Sequence, residues 1–143
     1  MIFFSGSSIY TVDSKGRVNI PARYRSQLTR DSSTSDGLVF YVTTGGNMKC
    51  LNVFPPEVFE SIAKKMEEEC GAILSPNENM PTFTKMMADA ESCRCDNQGR
   101  LIVPKKHLKE AEIDNKVKIV GLGQRIQLWN PDLFEEYVSK KKD

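Results

Sequence analysis

The sequence predicts a mainly β fold with short helices, an α+β chain in which one structural repeat occurs twice. Three observations lead there. The stretch Asp13-Ser14-Lys15-Gly16-Arg17-Val18-Asn19-Ile20-Pro21 returns as Asp96-Asn97-Gln98-Gly99-Arg100-Leu101-Ile102-Val103-Pro104, with a constant separation of 83 residues. Runs rich in β-branched and aromatic residues flank glycine-centred turn signals in both halves. A proline then opens a helical pattern after each of these runs.

The repeated stretch has a direct physical reading. Asp at the first place of a four-residue turn and Gly at the last is a type I turn signal. Asp13 with Gly16 and Asp96 with Gly99 are therefore expected to form turns. Short alternating strands follow, with Val18/Ile20 and Leu101/Val103 facing one way. Pro21 and Pro104 end the strands and suit the first position of short helices over Ala22-Leu28 and Lys105-Ala111. Turn geometry does not require the arginines, Arg17 and Arg100. Each could pair with its own Asp across the turn, a surface ion pair worth about 0–1 kcal/mol. Alternatively, a forked and always-charged donor held on a tight turn could be presented to phosphate or to a guanine edge. Asp13 and Asp96 are read as structural, since they would repel phosphate.

The remaining elements follow in chain order. Ile2-Phe4 and Ser8-Val12 are expected to form the first strand, with a break at Ser5-Gly6. Residues 31–37 are expected to be a polar, mobile loop. Leu38-Thr43 and Met48-Phe54 flank Gly45-Gly46-Asn47 as a hairpin. Pro55-Pro56 opens a helix to about Glu69 with Val58, Phe59, Ile62, Ala63 and Met66 on one stripe. Gly71 to Pro81 is the expected junction, dividing a first repeat at 1–80 from a second at 81–143. Thr82-Ala90 reads as a helix. Lys116-Leu122 and Arg125-Trp129 form a second hairpin, followed by a capped helix from Asn130-Pro131 and a basic tail at Lys140-Lys142.

Composition narrows the function. With 143 residues there is room for one ordinary domain or two small repeats, and each half is so short that the halves should pack on each other, on another subunit, or both. The net charge of +1 excludes indiscriminate polycation binding. Positive charge is nevertheless gathered at the repeated turns. Residues 1–30 carry five cations against one anion, as do residues 94–109, whereas 57–70 carries five glutamates against two lysines. Such clustering marks a nucleic-acid surface, although solvated basic helices also produce it. Cys50, Cys70, Cys93 and Cys95 lack metal-type Cys-x-x-Cys spacing, and a zinc site using Cys93, Cys95 and His107 is disfavoured, so no metal or cofactor is expected. No signal-peptide pattern or membrane-length apolar run is present, which gives a cytoplasmic expectation with no membrane partner. A single histidine and the lack of a nucleophile elbow or Walker loop point away from an enzyme.

With the doubled Asp-x-x-Gly-Arg turn, the apolar strand, the proline-led helix and the closing Ile126-x-Leu128-Trp129-Asn130-Pro131 in hand, the sequence closely resembles MraZ proteins, within the wider AbrB-like group. The resemblance covers nearly the whole chain. It implies a split β-barrel in each half, the two related by internal pseudo-symmetry, and homo-oligomeric rings of about eight subunits. It also implies a nucleoid-associated transcriptional regulator, read as a repressor, of the division and cell-wall gene cluster. Such a regulator binds double-stranded DNA at short G-rich direct repeats in its own promoter. Carried onto this sequence, the resemblance places the family's Asp-x-x-x-Arg motif on Asp13 with Arg17 and on Asp96 with Arg100, its motif lysine on Lys15 and its arginine four after the proline on Arg25. The physical expectation is that Arg17 and Arg100 read guanine edges in the major groove while Lys15, Arg23, Arg25, Lys105 and Lys106 hold phosphates. Gln98 replaces Lys15 in the second copy and Leu108 replaces Arg25, so the second repeat is expected to contact DNA less fully. The alternative from a different class is a ring-forming structural or protein-interaction module without sequence preference for DNA.

Overall fold

A computed structural model describes residues 2–28 and 37–140. The loop expected over 31–36 and the tail at Lys141 and Lys142 lie outside the described residues. The first half contains β1 (Ser7–Thr11), β2 (Arg17–Asn19), α1 (Ala22–Arg25), β3 (Val39–Thr44), β4 (Cys50–Phe54) and α2 (Pro56–Glu68). The small pair β5 (Gly71–Ala72) and β6 (Ser75–Pro76) leads to α3 (Met80–Asp89). The second half contains β7 (Glu91–Arg94), β8 (Arg100–Ile102), α4 (Lys105–Glu110), β9 (Lys116–Leu122), β10 (Arg125–Trp129) and α5 (Pro131–Ser139). The chain is mostly β with short helices, as the patterning requires.

The halves are interleaved strand by strand. Six antiparallel strands form one sheet in the order β1-β9-β10-β4-β3-β7. Each edge strand belongs to one half and pairs with the other half's sequence, β1 with β9 and, across the junction, β7 with β3. The two repeat strands β2 and β8 pair with each other as a separate antiparallel ribbon, Val18 opposite Leu101. Single bridges, Val12 to Val18 and Cys95 to Leu101, join this ribbon to the two edge strands.

Alternation explains the core. Val18, Ile20, Leu101 and Val103 are at most 1% exposed and pack with Phe40, Val42, Leu51, Val53, Val117, Ile119, Ile126 and Leu128. Burying each such side chain is worth about 1.5–3 kcal/mol, so the ribbon is anchored through its inner face. Cys93 and Cys95 are buried free thiols within that core.

Ile2-Phe4 does not form a strand. Phe4 alone bridges to Gly123, and its ring meets Tyr24 edge-on at 5.1 Å. The arm lies against Gly121, where a Cβ would strike the Ser5 and Phe4 backbone, so close main-chain contact replaces strand pairing. At the junction, Asn77 and Asn79 each donate a side-chain N–H to the Glu69 carbonyl at 2.9 Å, tying the end of α2 to the start of α3. Helix α3 therefore begins two residues before Thr82. The β5–β6 tip carries Ile73 and Leu74, 93% and 96% exposed.

Candidate nucleic-acid interface

The two repeated turns are built alike to the level of single atoms. In the first, Gly16 N–H donates to the Asp13 carbonyl at 3.0 Å, and Gly16 sits at φ +80°, the left-handed region that favours glycine. Asp13 Oδ1 accepts the backbone N–H groups of Lys15 and Arg17 at 2.9 Å each, and Oδ2 accepts Arg17 Nε at 2.6 Å. In the second, Gly99 N–H donates to the Asp96 carbonyl at 3.0 Å with φ +81°. Asp96 Oδ1 accepts from Gln98 and Arg100 backbone N–H at 2.9 Å, and Oδ2 accepts Arg100 Nε at 2.9 Å.

Hydrogen bonding sets the state of both carboxylates. The Arg17 backbone N–H beside Asp13 is the largest influence and, with the other donors, holds its carboxyl down at about 2 against the burial that opposes it. Burial alone would raise Asp96, but donation from the Arg100 and Gln98 N–H groups and from the Arg100 side chain outweighs it and the carboxyl is lowered. Both aspartates are thus firm anions that accept the N–H groups of their own turns.

The turns are also tied to one another. Val103 N–H donates to the Gly16 carbonyl and Ile20 N–H to the Gly99 carbonyl, both at 3.0 Å. The residues four after each motif proline cover the opposite glycine. Leu108 Cδ1 lies 3.5 Å from where a Gly16 Cβ would stand, and Arg25 Cζ lies 2.6 Å from the corresponding Gly99 position. Arg25 Nε donates to the Ile20 carbonyl at 2.8 Å. The pair Arg25 and Leu108 therefore braces the two turns across the pseudo-twofold, a role local patterning did not signal.

With Val18 and Leu101 turned inward, Arg17, Asn19, Arg100 and Ile102 share the outer face of the ribbon. The register places Arg17 opposite Ile102 and Asn19 opposite Arg100. The arginines are diagonal neighbours, with Cα atoms about 8 Å apart from standard strand rise and spacing. Each spends Nε on its aspartate, and among the described residues the two terminal nitrogens of Arg17 and of Arg100 have no protein acceptor. The ion pair and the outward presentation thus coexist, because they use different nitrogens of one guanidinium.

The other expected cations divide. Lys15 is exposed on the first turn, and the stem of Lys105 from the opposite repeat comes beside Gly16. Arg25 joins the second turn as a brace. Arg23 and Lys106 occupy matching places on α1 and α4. Arg23 lies over the Tyr24 ring at 4.7 Å and Lys106 is 3.9 Å from Glu91. Asn19 and Ile102 were not singled out from the sequence, although the same alternation that buries Val18 and Leu101 turns them outward. His107 is 2% exposed, its Nε2 2.8 Å from the Asp89 carbonyl, and no group of three or more potential metal ligands occurs among the described residues.

A family model described as "MraZ protein, putative antitoxin-like" matches residues 3–73 and 86–143. The chain belongs to the MraZ family. The two matched segments each contain one copy of the Asp-x-x-Gly-Arg turn. Among MraZ relatives, the transcriptional regulator MraZ of Carboxydothermus hydrogenoformans is 38% identical over 136 residues, covering 94% of this chain and 85% of that protein. The transcriptional regulator MraZ of Pediococcus pentosaceus is 33% identical, covering 98% and 90%. That of Syntrophobacter fumaroxidans is 32% identical, covering 99% and 88%.

Proposed function

We propose that this MraZ-family chain is a transcriptional regulator that binds double-stranded DNA through the outer face of the β2–β8 ribbon. The observation that carries the reading is the pair of outward arginines whose Nε atoms are fixed by aspartates while their terminal nitrogens stay available. A two-stranded ribbon fits the major groove, and arginine pairs bidentately with guanine O6 and N7, each good pair contributing about 1–3 kcal/mol of discrimination. Diagonal arginines about 8 Å apart match guanines two to three base pairs apart at a rise of about 3.4 Å. Lys15 and Lys105 flank the first turn, Arg23 and Lys106 lie on α1 and α4, and these four neutralise phosphate and set register. Arg25 contributes from behind the second turn.

One ribbon offers few contacts, so useful affinity comes from several copies engaging successive DNA elements at high effective concentration. The full reading is a repressor of the division and cell-wall gene cluster, including its own promoter. It works as a ring of about eight subunits on short G-rich direct repeats, in the cytoplasm at the nucleoid. The single bridges from the ribbon to both sheet edges support a split-barrel form, and the two family segments support repeats divided near residues 80 and 81. No helix among the described residues is long and apolar enough to cross a membrane.

The second reading, an assembly module without DNA specificity, is favoured by the exposed Ile73 and Leu74 tip, whose apolar surface a second copy would cover. Fluorescence anisotropy separates the two. A duplex from upstream of the chain's own gene and a scrambled duplex are titrated across a salt series. The regulator reading expects preference for the native duplex to persist as salt rises, with a log–log slope of about −0.9 per phosphate neutralised. Equal binding to both duplexes, erased by salt, would move the assembly module to the front.

A further inference from the structure

The pseudo-twofold through Val18 and Leu101 makes the ribbon's outer face nearly symmetric, but it breaks at one pair of positions. Arg17 corresponds to Arg100, whereas Asn19 corresponds to Ile102. Both odd residues are exposed, and neither is explained by the fold. Asn19 has no side-chain hydrogen bond to another described residue, although its backbone is held in the ladder. Ile102 is 49% exposed in the middle of a basic surface, where an apolar side chain contributes nothing to solubility or to phosphate binding. Its partner Leu101 already supplies the buried contact of that strand.

We propose that Asn19 and Ile102 are specificity-determining residues, Asn19 for an adenine and Ile102 for the methyl group of a thymine. The inference rests on the DNA-binding reading above and adds letters to it. The chemistry is that of the major groove, where asparagine pairs with adenine N6 and N7 and an apolar side chain contacts the thymine C5 methyl. The register sets the neighbours. Ile102 stands directly across from Arg17, so the thymine lies beside the guanine read by Arg17. Asn19 stands directly across from Arg100, so the adenine lies beside the guanine read by Arg100. A ribbon whose arginines are symmetric thereby distinguishes the two ends of the element it covers.

The test uses the full chain and a pool of random-sequence duplexes. Wild-type protein is expected to enrich two guanines, one accompanied by adenine and the other by thymine. Two base analogues then probe single atoms in the enriched duplex. Deoxyuridine in place of the thymine removes only the methyl and should weaken wild-type binding about fourfold, the worth of one buried carbon group. It should leave Ile102→Ala binding unchanged. Replacing the adenine by 7-deazaadenine removes N7 and should weaken wild-type binding at least about fivefold while leaving Asn19→Ala unchanged. Both substitutions are on exposed side chains, and thermal unfolding checks that the variants remain folded. Equal analogue losses in wild type and variant would overturn the inference. So would a guanine-containing consensus that depends on Arg17 yet shows no preference at either neighbouring base, which leaves the DNA-binding reading standing. A pool from which wild-type protein enriches nothing would sink that reading, and this inference with it.

Discussion

Substituting alanine at Gly16 and at Gly99 should have different costs, although the two glycines occupy the same place in the repeat and share nearly the same φ. Both substitutions force an L side chain into the left-handed region, at about 1–2 kcal/mol each. What the new Cβ meets then separates them. At Gly16 it lies 2.9 Å from the Val103 carbonyl oxygen, main chain held in place by the ribbon's own end, and overpacking of this kind adds about 1–3 kcal/mol. At Gly99 the three nearest atoms all belong to the Arg25 side chain, which is flexible and can swing away, giving up among its contacts the hydrogen bond to the Ile20 carbonyl, about 0.5–1.5 kcal/mol. Gly16→Ala is therefore expected to destabilise more. The sharper expectation is a coupling. In an Arg25→Ala background the cost of Gly99→Ala should fall to its dihedral part alone, while that of Gly16→Ala stays the same. Urea unfolding followed by the fluorescence of the single tryptophan, Trp129, at fixed protomer concentration reads all the variants. If Arg25→Ala leaves the cost of Gly99→Ala unchanged, the cross-repeat brace is wrong.

Two further outcomes follow from the same geometry. Because the folded-state pKa of Asp13 is lowered from 3.8 to about 2, its support of the first turn is fully present above pH 3.8 and is lost as pH falls through about 2. Carboxyl carbon NMR should show that low midpoint, and a midpoint at or above 3.8 would contradict the donor set around Asp13. Burial pushes the Cys95 thiol up to about 12 and those of Cys50 and Cys93 to about 11. At pH 8 these three should resist alkylation in the native protein and react once it is unfolded, as peptide mapping after iodoacetamide treatment would show.

Much of the site was legible because it is local. An Asp, a Gly and an Arg within five residues define a turn whose hydrogen bonds run among neighbours, and alternation orients the strand that follows. The proline-led helices and the Asn130 cap, whose Oδ1 accepts from Asp132 and Leu133 N–H, are equally local. What the sequence hid depends on pairing between distant residues. Ser7 meets Val120 across the sheet, and no periodicity within either segment encodes that partner. The same holds for Arg25, whose charge and position four after Pro21 gave a phosphate-contact reading. Its contact with Gly99 emerges only once β2 and β8 are side by side. Asn19 and Ile102 were overlooked for a simpler reason, since the repeat directs attention to residues the copies share and these are the ones in which they differ.

In the proposed function, Arg17 and Arg100 read DNA with the nitrogens their aspartates leave available. The most direct test is anisotropy of wild type, Arg17→Ala and Arg100→Ala on the upstream and scrambled duplexes, paired with unfolding of each variant. Each substitution should remove about 1–3 kcal/mol of preference for the upstream duplex. Each variant also loses a part-buried ion pair, the Arg17 side chain being 27% and the Arg100 side chain 32% exposed, so the unfolding measurement separates any loss of stability from the loss of preference. Unchanged preference in both variants, with fold and assembly intact, would contradict that role for the two arginines.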